Sequence, residues 1–136
     1  MIEEKIVSKD ELIKRIKWFS DSVNYYFFDV FHLYEFELTI DSHASKDIRG
    51  CCFWCDIQDG AGMMSICYST DWIQSEKTTY EEIEKVAFHE TWEAILSELQ
   101  ELSLSRFIFE KDIPNAAHRV IRRMENIIFP MVKRNK

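Results

Sequence analysis

Hydrophobic positions recur at two different periods along this chain, and each period predicts its own kind of element. Leu12, Ile13, Ile16 and Phe19 are spaced at helical intervals with Lys14, Arg15 and Lys17 largely between them, which predicts an amphipathic helix of about twelve to fifteen residues. Ser8-Lys9-Asp10-Glu11 ahead of it has the form of a capping box, in which the serine hydroxyl satisfies an orphan amide and the glutamate reaches back to the cap. The rings that follow, Tyr25, Tyr26, Phe27, Phe28 and Phe31, fit either a continued helix or a strand. Residues 34–41 then switch to strict alternation: Phe36, Leu38 and Ile40 fall on one face and Glu35, Glu37 and Thr39 on the other, as in a half-buried strand.

Residues 51–57, rich in cysteine and aromatic side chains, read as a second strand, and residues 63–69 read as a third. Asp59-Gly60-Ala61-Gly62 between them supplies the positive-φ positions that a tight hairpin needs. Consecutive strands with short links predict a three-stranded antiparallel meander, with residues 63–69 at its edge. A second capping box, Thr79-Tyr80-Glu81-Glu82, opens the longest helix, over residues 80–103. Its apolar positions cover nearly all sides, which predicts central burial. Asp112-Ile113-Pro114 starts a last helix, because proline fits a first turn, and Pro130 stops it. The expected fold is therefore α+β and a single domain over residues 1–136: an N-terminal helix, the meander and two C-terminal helices.

Composition narrows the function classes. The chain of 136 residues is long enough for one core, and 46% hydrophobic and 14% aromatic content argues against disorder. A net charge of −7 disfavours nucleic acid as a partner, since that binding is carried by cations on phosphates. One basic cluster stands against the trend: Arg119, Arg122 and Arg123, with Lys133, Arg134 and Lys136 beyond them. It reads first as a solvated or internally paired face, and second as a surface for an acidic partner. Nothing resembles a secretory signal or a membrane span, so a cytoplasmic location is expected. Cys52 and Cys55 have the spacing of half a zinc site, but strand alternation points them apart and Cys67 has no close companion in sequence, so the four cysteines read as small apolar residues.

The chemistry-bearing string is His89-Glu90-Thr91-Trp92-Glu93, inside the longest helix. Residues four apart share a helix face, so the His89 imidazole and the Glu93 carboxylate can reach one ion. Three ionisable groups within five residues of a buried helix are costly unless they are paired, hydrogen-bonded or metal-bound. His118 on the next helix is the candidate third ligand, and Glu90 the candidate general base acting on a zinc-bound water. The bland alternative is a core histidine, a solvated carboxylate stripe, and an ion-pair network joining Glu93, His118 and the arginines. His32 and His43 lack such a context and read as surface or core residues.

The order of elements, with residues 86–93 reading Val-Ala-Phe-His-Glu-Thr-Trp-Glu, resembles the minimal core of zincin-like metallopeptidases. More narrowly, this string, followed by Ser105-Arg106-Phe107 and by residues 118–126, is similar to small phage and prophage proteins described as metallopeptidases. The resemblance covers residues 80–128 and touches the strands only in outline. It implies a Zn2+ hydrolase acting on a peptide or protein substrate, with His89 and His118 matching the recurrent histidines and Glu90 the catalytic glutamate; helix spacing adds Glu93 as the further candidate metal ligand. Glu93 departs from the His-Glu-x-x-His pattern, where a second histidine stands, and a carboxylate there makes the bound water less acidic. The rival expectation is a catalytically inactive scaffold of the same shape that serves as a protein-interaction module.

Overall fold

Ser8 accepts the amide hydrogen of Glu11 at 3.2 Å, and α1 runs from it as Lys9–Asn24. The computed structural model describes residues 5–43, 54–58, 62–104 and 112–132. Beyond α1 the chain stays helical but widens into a π-helical stretch, Tyr25–Val30. This settles a segment whose sequence fits helix or strand equally. The helical path buries Phe27 and Phe31 and leaves Tyr25 half exposed, so the run of rings is divided between core and solvent. The Phe31 amide donates to Tyr26 at 2.9 Å; His32 then turns into the left-handed region, φ 55°, and the Leu33 amide closes on Phe27 at 2.9 Å.

The sheet differs from the expected meander. Its strands are β1 (Glu37–His43), β2 (Trp54–Gln58) and β3 (Met63–Ser69), in the spatial order β1-β3-β2. β1 runs parallel to β3, with Leu38 opposite Met64 and Ile40 opposite Ile66, while β2 is antiparallel to β3. So β3, expected at the edge, is the central strand, and it cannot align a peptide by main-chain pairing. Alternation and turn residues say that a strand exists and which face is apolar, but not which neighbour it takes. Burial decides that: Met64, Ile66 and Tyr68 of β3 are covered, whereas no residue of β1 is fully buried. At the hairpin, Gly62 holds φ 64° and its carbonyl accepts the Glu37 amide at 2.7 Å. Residues 51–53 and 59–61, named in the expected strand and turn, lie outside the described residues.

A short helix α2, Thr70–Gln74, follows β3 and is capped by Ser69. The buried Arg15 guanidinium donates to the carbonyls of Ile73, 3.1 Å, and Ser75, 2.7 Å, and so ties α1 to the end of α2. The capping box of α3, Tyr80–Leu104, forms in both directions: the Glu82 amide to the Thr79 hydroxyl at 3.2 Å and the Thr79 amide to the Glu82 carboxylate at 3.4 Å. Helix α4, Asp112–Val132, continues two residues past Pro130 rather than ending there. In a last turn the proline costs one hydrogen bond, and it leaves the Asn126 carbonyl, four residues back, without its helical donor.

Two apolar clusters hold these parts together. Phe19, Val23, Ile66, Trp72, Ile73, Ile83 and Ala87 join α1, β3, α2 and α3. Phe27, Phe31, Leu33, Met64, Ala94 and Ile95 join the π-helical stretch, β3 and α3, with Val120 and Ile127 of α4 packed against them. Among the described residues no helix is long and apolar enough to cross a membrane.

Candidate functional site

The buried stripe of α3 runs Ile83, Val86, Ala87, Glu90, Thr91, Ala94 and Ile95, the spacing of a helix face turned wholly to the core. Glu90 sits at its centre. The residue is 3% exposed and its Oε2 has no hydrogen-bond partner. Burial first, and the Glu93 charge second, push its carboxyl up to about 8, so it is protonated at neutral pH. Thr91 beside it satisfies its own hydroxyl by donating to Ala87 at 2.8 Å.

His89 and Glu93 come off a different face. Their side chains are 63% and 44% exposed, with His89 Nε2 3.5 Å from Glu93 Oε1. At about 100° per residue, His89 points roughly 140° away from the middle of the buried stripe. The string that reads as one constellation is therefore split, its glutamate inside and its imidazole outside. His118 is also exposed. On α4 the covered positions are Ala116, Ala117, Val120, Arg123, Met124 and Ile127, and His118 lies roughly 160° from their centre.

The helices do bring two of the sequence-predicted ligands, His89 and Glu93, within reach of one another. Among the described residues no three His, Cys, Asp or Glu side chains form a group that could hold a metal ion. His89 and His118 lie on exposed faces of α3 and α4, away from the apolar faces through which the two helices pack. Cys51 and Cys52 lie outside the described residues.

The basic residues of α4 have a different fate. Arg123 is buried, donates to the Glu35 carboxylate and to the Ile95 carbonyl at 3.3 Å, and lies over the Phe36 ring at 5.5 Å. The internal pairing expected for this cluster forms with Glu35, not with Glu93. Arg119, Arg122 and Asn126 extend the same stripe of α4, and with His32 and Phe36 they line a cavity of about 500 Å3. A second cavity of about 510 Å3 adjoins it, sharing His32 and Asn126 and adding Tyr34, Glu125, Phe129 and Pro130. Arg122 is exposed and is paired with no carboxylate among the described residues.

His32, Tyr34 and Glu35 were not among the sequence candidates. The available signal was an aromatic run that ends in His32 with no glycine to turn the helix, which forces a side-chain-bearing residue into a left-handed conformation. Such strain gathers at binding sites because surrounding contacts must hold it.

Comparison with protein-family models, with curated proteins and with solved structures finds no match. The zincin resemblance therefore rests on the residues quoted for it.

Proposed function

We propose that this protein is a non-catalytic interaction module that takes an acidic segment of a partner protein in the groove between α4 and the chain around His32. The observation that carries the reading is the division of labour among the arginines: Glu35 neutralises Arg123, while Arg122 lies open in the groove beside Arg119. A guanidinium in a concave setting is a good receptor for carboxylates, which its fork of donors can bind bidentately. On a chain of net charge −7 it is also a local exception, which favours discrimination by charge over general stickiness.

A zinc hydrolase built on His89, Glu93 and His118 is the lesser reading. Its supports are the proximity of His89 and Glu93 and the raised carboxyl of Glu90, a state found in general acids and bases. Against it, Glu90 faces the core while the two imidazoles face water.

The binding reading is tested by fluorescence anisotropy with a fluorescein-labelled octaglutamate peptide. Saturable binding is expected to weaken about tenfold or more in Arg122→Glu and as salt rises. Lys85→Glu, an equal charge change on an exposed residue of α3, is expected to leave binding in place. Equal binding by the parent and Arg122→Glu would remove the groove from consideration.

A further inference from the structure

The two adjoining cavities differ in character, and the difference specifies a ligand. Resting on the binding reading above, we infer that the groove recognises a short peptide in two parts: a carboxylate over Arg122, then one aromatic or large aliphatic side chain between Tyr34 and Phe129. The floor of both cavities is a single stripe of α4 from Arg119 to Pro130, about 16 Å at 1.5 Å per residue, the span of about five extended residues. Its first half is cationic. Its second half exposes large rings, Tyr34 at 66% and Phe129 at 63%.

Three features fix the order of the two parts. Glu125 stands in the wall of the second cavity and repels a carboxylate there. His32 sits at the junction, its ring 5.8 Å from Tyr34, held in place by a left-handed backbone. Asn126, exposed and common to both cavities, places an uncharged amide between the cationic half and the apolar half. Glu125 in the wall of the second cavity disfavours a phosphate chain, which carries negative charge along its whole length. The apolar half disfavours a purely acidic ligand.

The test uses the full chain and two labelled pentapeptides, Glu-Glu-Glu-Gly-Phe and Glu-Glu-Glu-Gly-Ser, titrated side by side. The phenylalanine peptide is expected to bind about tenfold more tightly, the worth of burying much of one ring. Phe129→Ser, a substitution at an exposed site, is expected to erase that advantage and leave the serine peptide unaffected. Arg122→Glu is expected to weaken both. Equal affinity for the two peptides overturns the two-part ligand while leaving the acidic-partner reading intact. Failure of both to bind up to about 1 mM overturns the two together. Tighter binding of an oligothymidylate than of either peptide, lost in Arg122→Glu, overturns the peptide in favour of nucleic acid. A concentration-dependent dimer in sedimentation that Phe129→Ser dissolves overturns it in favour of a second copy of the chain.

Discussion

The Arg123 guanidinium donates to the Glu35 carboxylate across 88 positions of sequence, and one partner is buried while the other is half in water. That asymmetry sets the energetics. Removing the carboxylate strands a desolvated cation, whereas removing the arginine leaves a carboxylate that water already solvates.

Glu35→Ala is therefore expected to cost about 1–3 kcal/mol in urea unfolding, toward the low end because Glu35 is open to solvent. Arg123→Met, which keeps the packing against Phe36, should cost less. Adding Glu35→Ala to Arg123→Met should then change little. Additive losses in the double variant would mean that the two side chains are not energetically coupled.

Glu90 makes stability depend on pH. Its folded carboxyl is raised to about 8 from an ordinary 4.5, so the folded state holds a proton that the unfolded state has released between those values. Stability contributed by the neutral form is complete below about 4.5, declines as pH rises toward 8, and levels off above it. At ~1.4 kcal/mol per pH unit the total is a few kcal/mol. Glu90→Gln should flatten this slope, matching the parent at pH 4 and exceeding it at pH 9. Parallel pH–stability curves for the two proteins would show that Glu90 titrates normally.

His32→Gly removes the ring and relieves the left-handed backbone at once. Relative to His32→Ala, which loses the ring but keeps the strain, the glycine variant is expected to be more stable by about 1 kcal/mol. Both variants should bind the phenylalanine pentapeptide less well than the parent. If alanine proves as stable as glycine, the φ of 55° carries no strain and His32 loses its claim as a positioned residue.

Zinc separates the binding module from the hydrolase. Elemental analysis of protein purified without an affinity tag is expected to find far less than one zinc per chain, and added Zn2+ should not raise the melting temperature. His89→Ala and His118→Ala, both at exposed positions, should change neither result. One zinc per chain that is lost in both variants would reinstate the metal centre.

Much of the local structure was legible in the residues. Ser8 and Thr79 start the helices that they were expected to start, the strand at residues 63–69 begins and ends as read, and the phase of Leu38 and Ile40 against Glu37 and Thr39 holds. These features arise from contacts within about four residues, where capping and alternation are written directly. The candidate site was less legible. Helical spacing places His89 beside Glu93, and the structure keeps them 3.5 Å apart, but spacing alone does not say which face of α3 the core will take. A helix that reads as apolar on nearly every side has no phase of its own, so its packing partners choose one.

By itself, then, the order of side chains determined where α1, α3 and β3 begin, which strand face is apolar, and that a cationic stripe lies on the last helix. Tertiary packing alone decided that β3 would pair on both edges, that Glu90 would turn inward while His89 and His118 turned out, and that Arg123 would be claimed by Glu35 and leave Arg122 open. The reason is range: hydrogen bonds within a turn of chain are set by neighbours in sequence, whereas burial is shared among distant segments and settles only when all of them are in place.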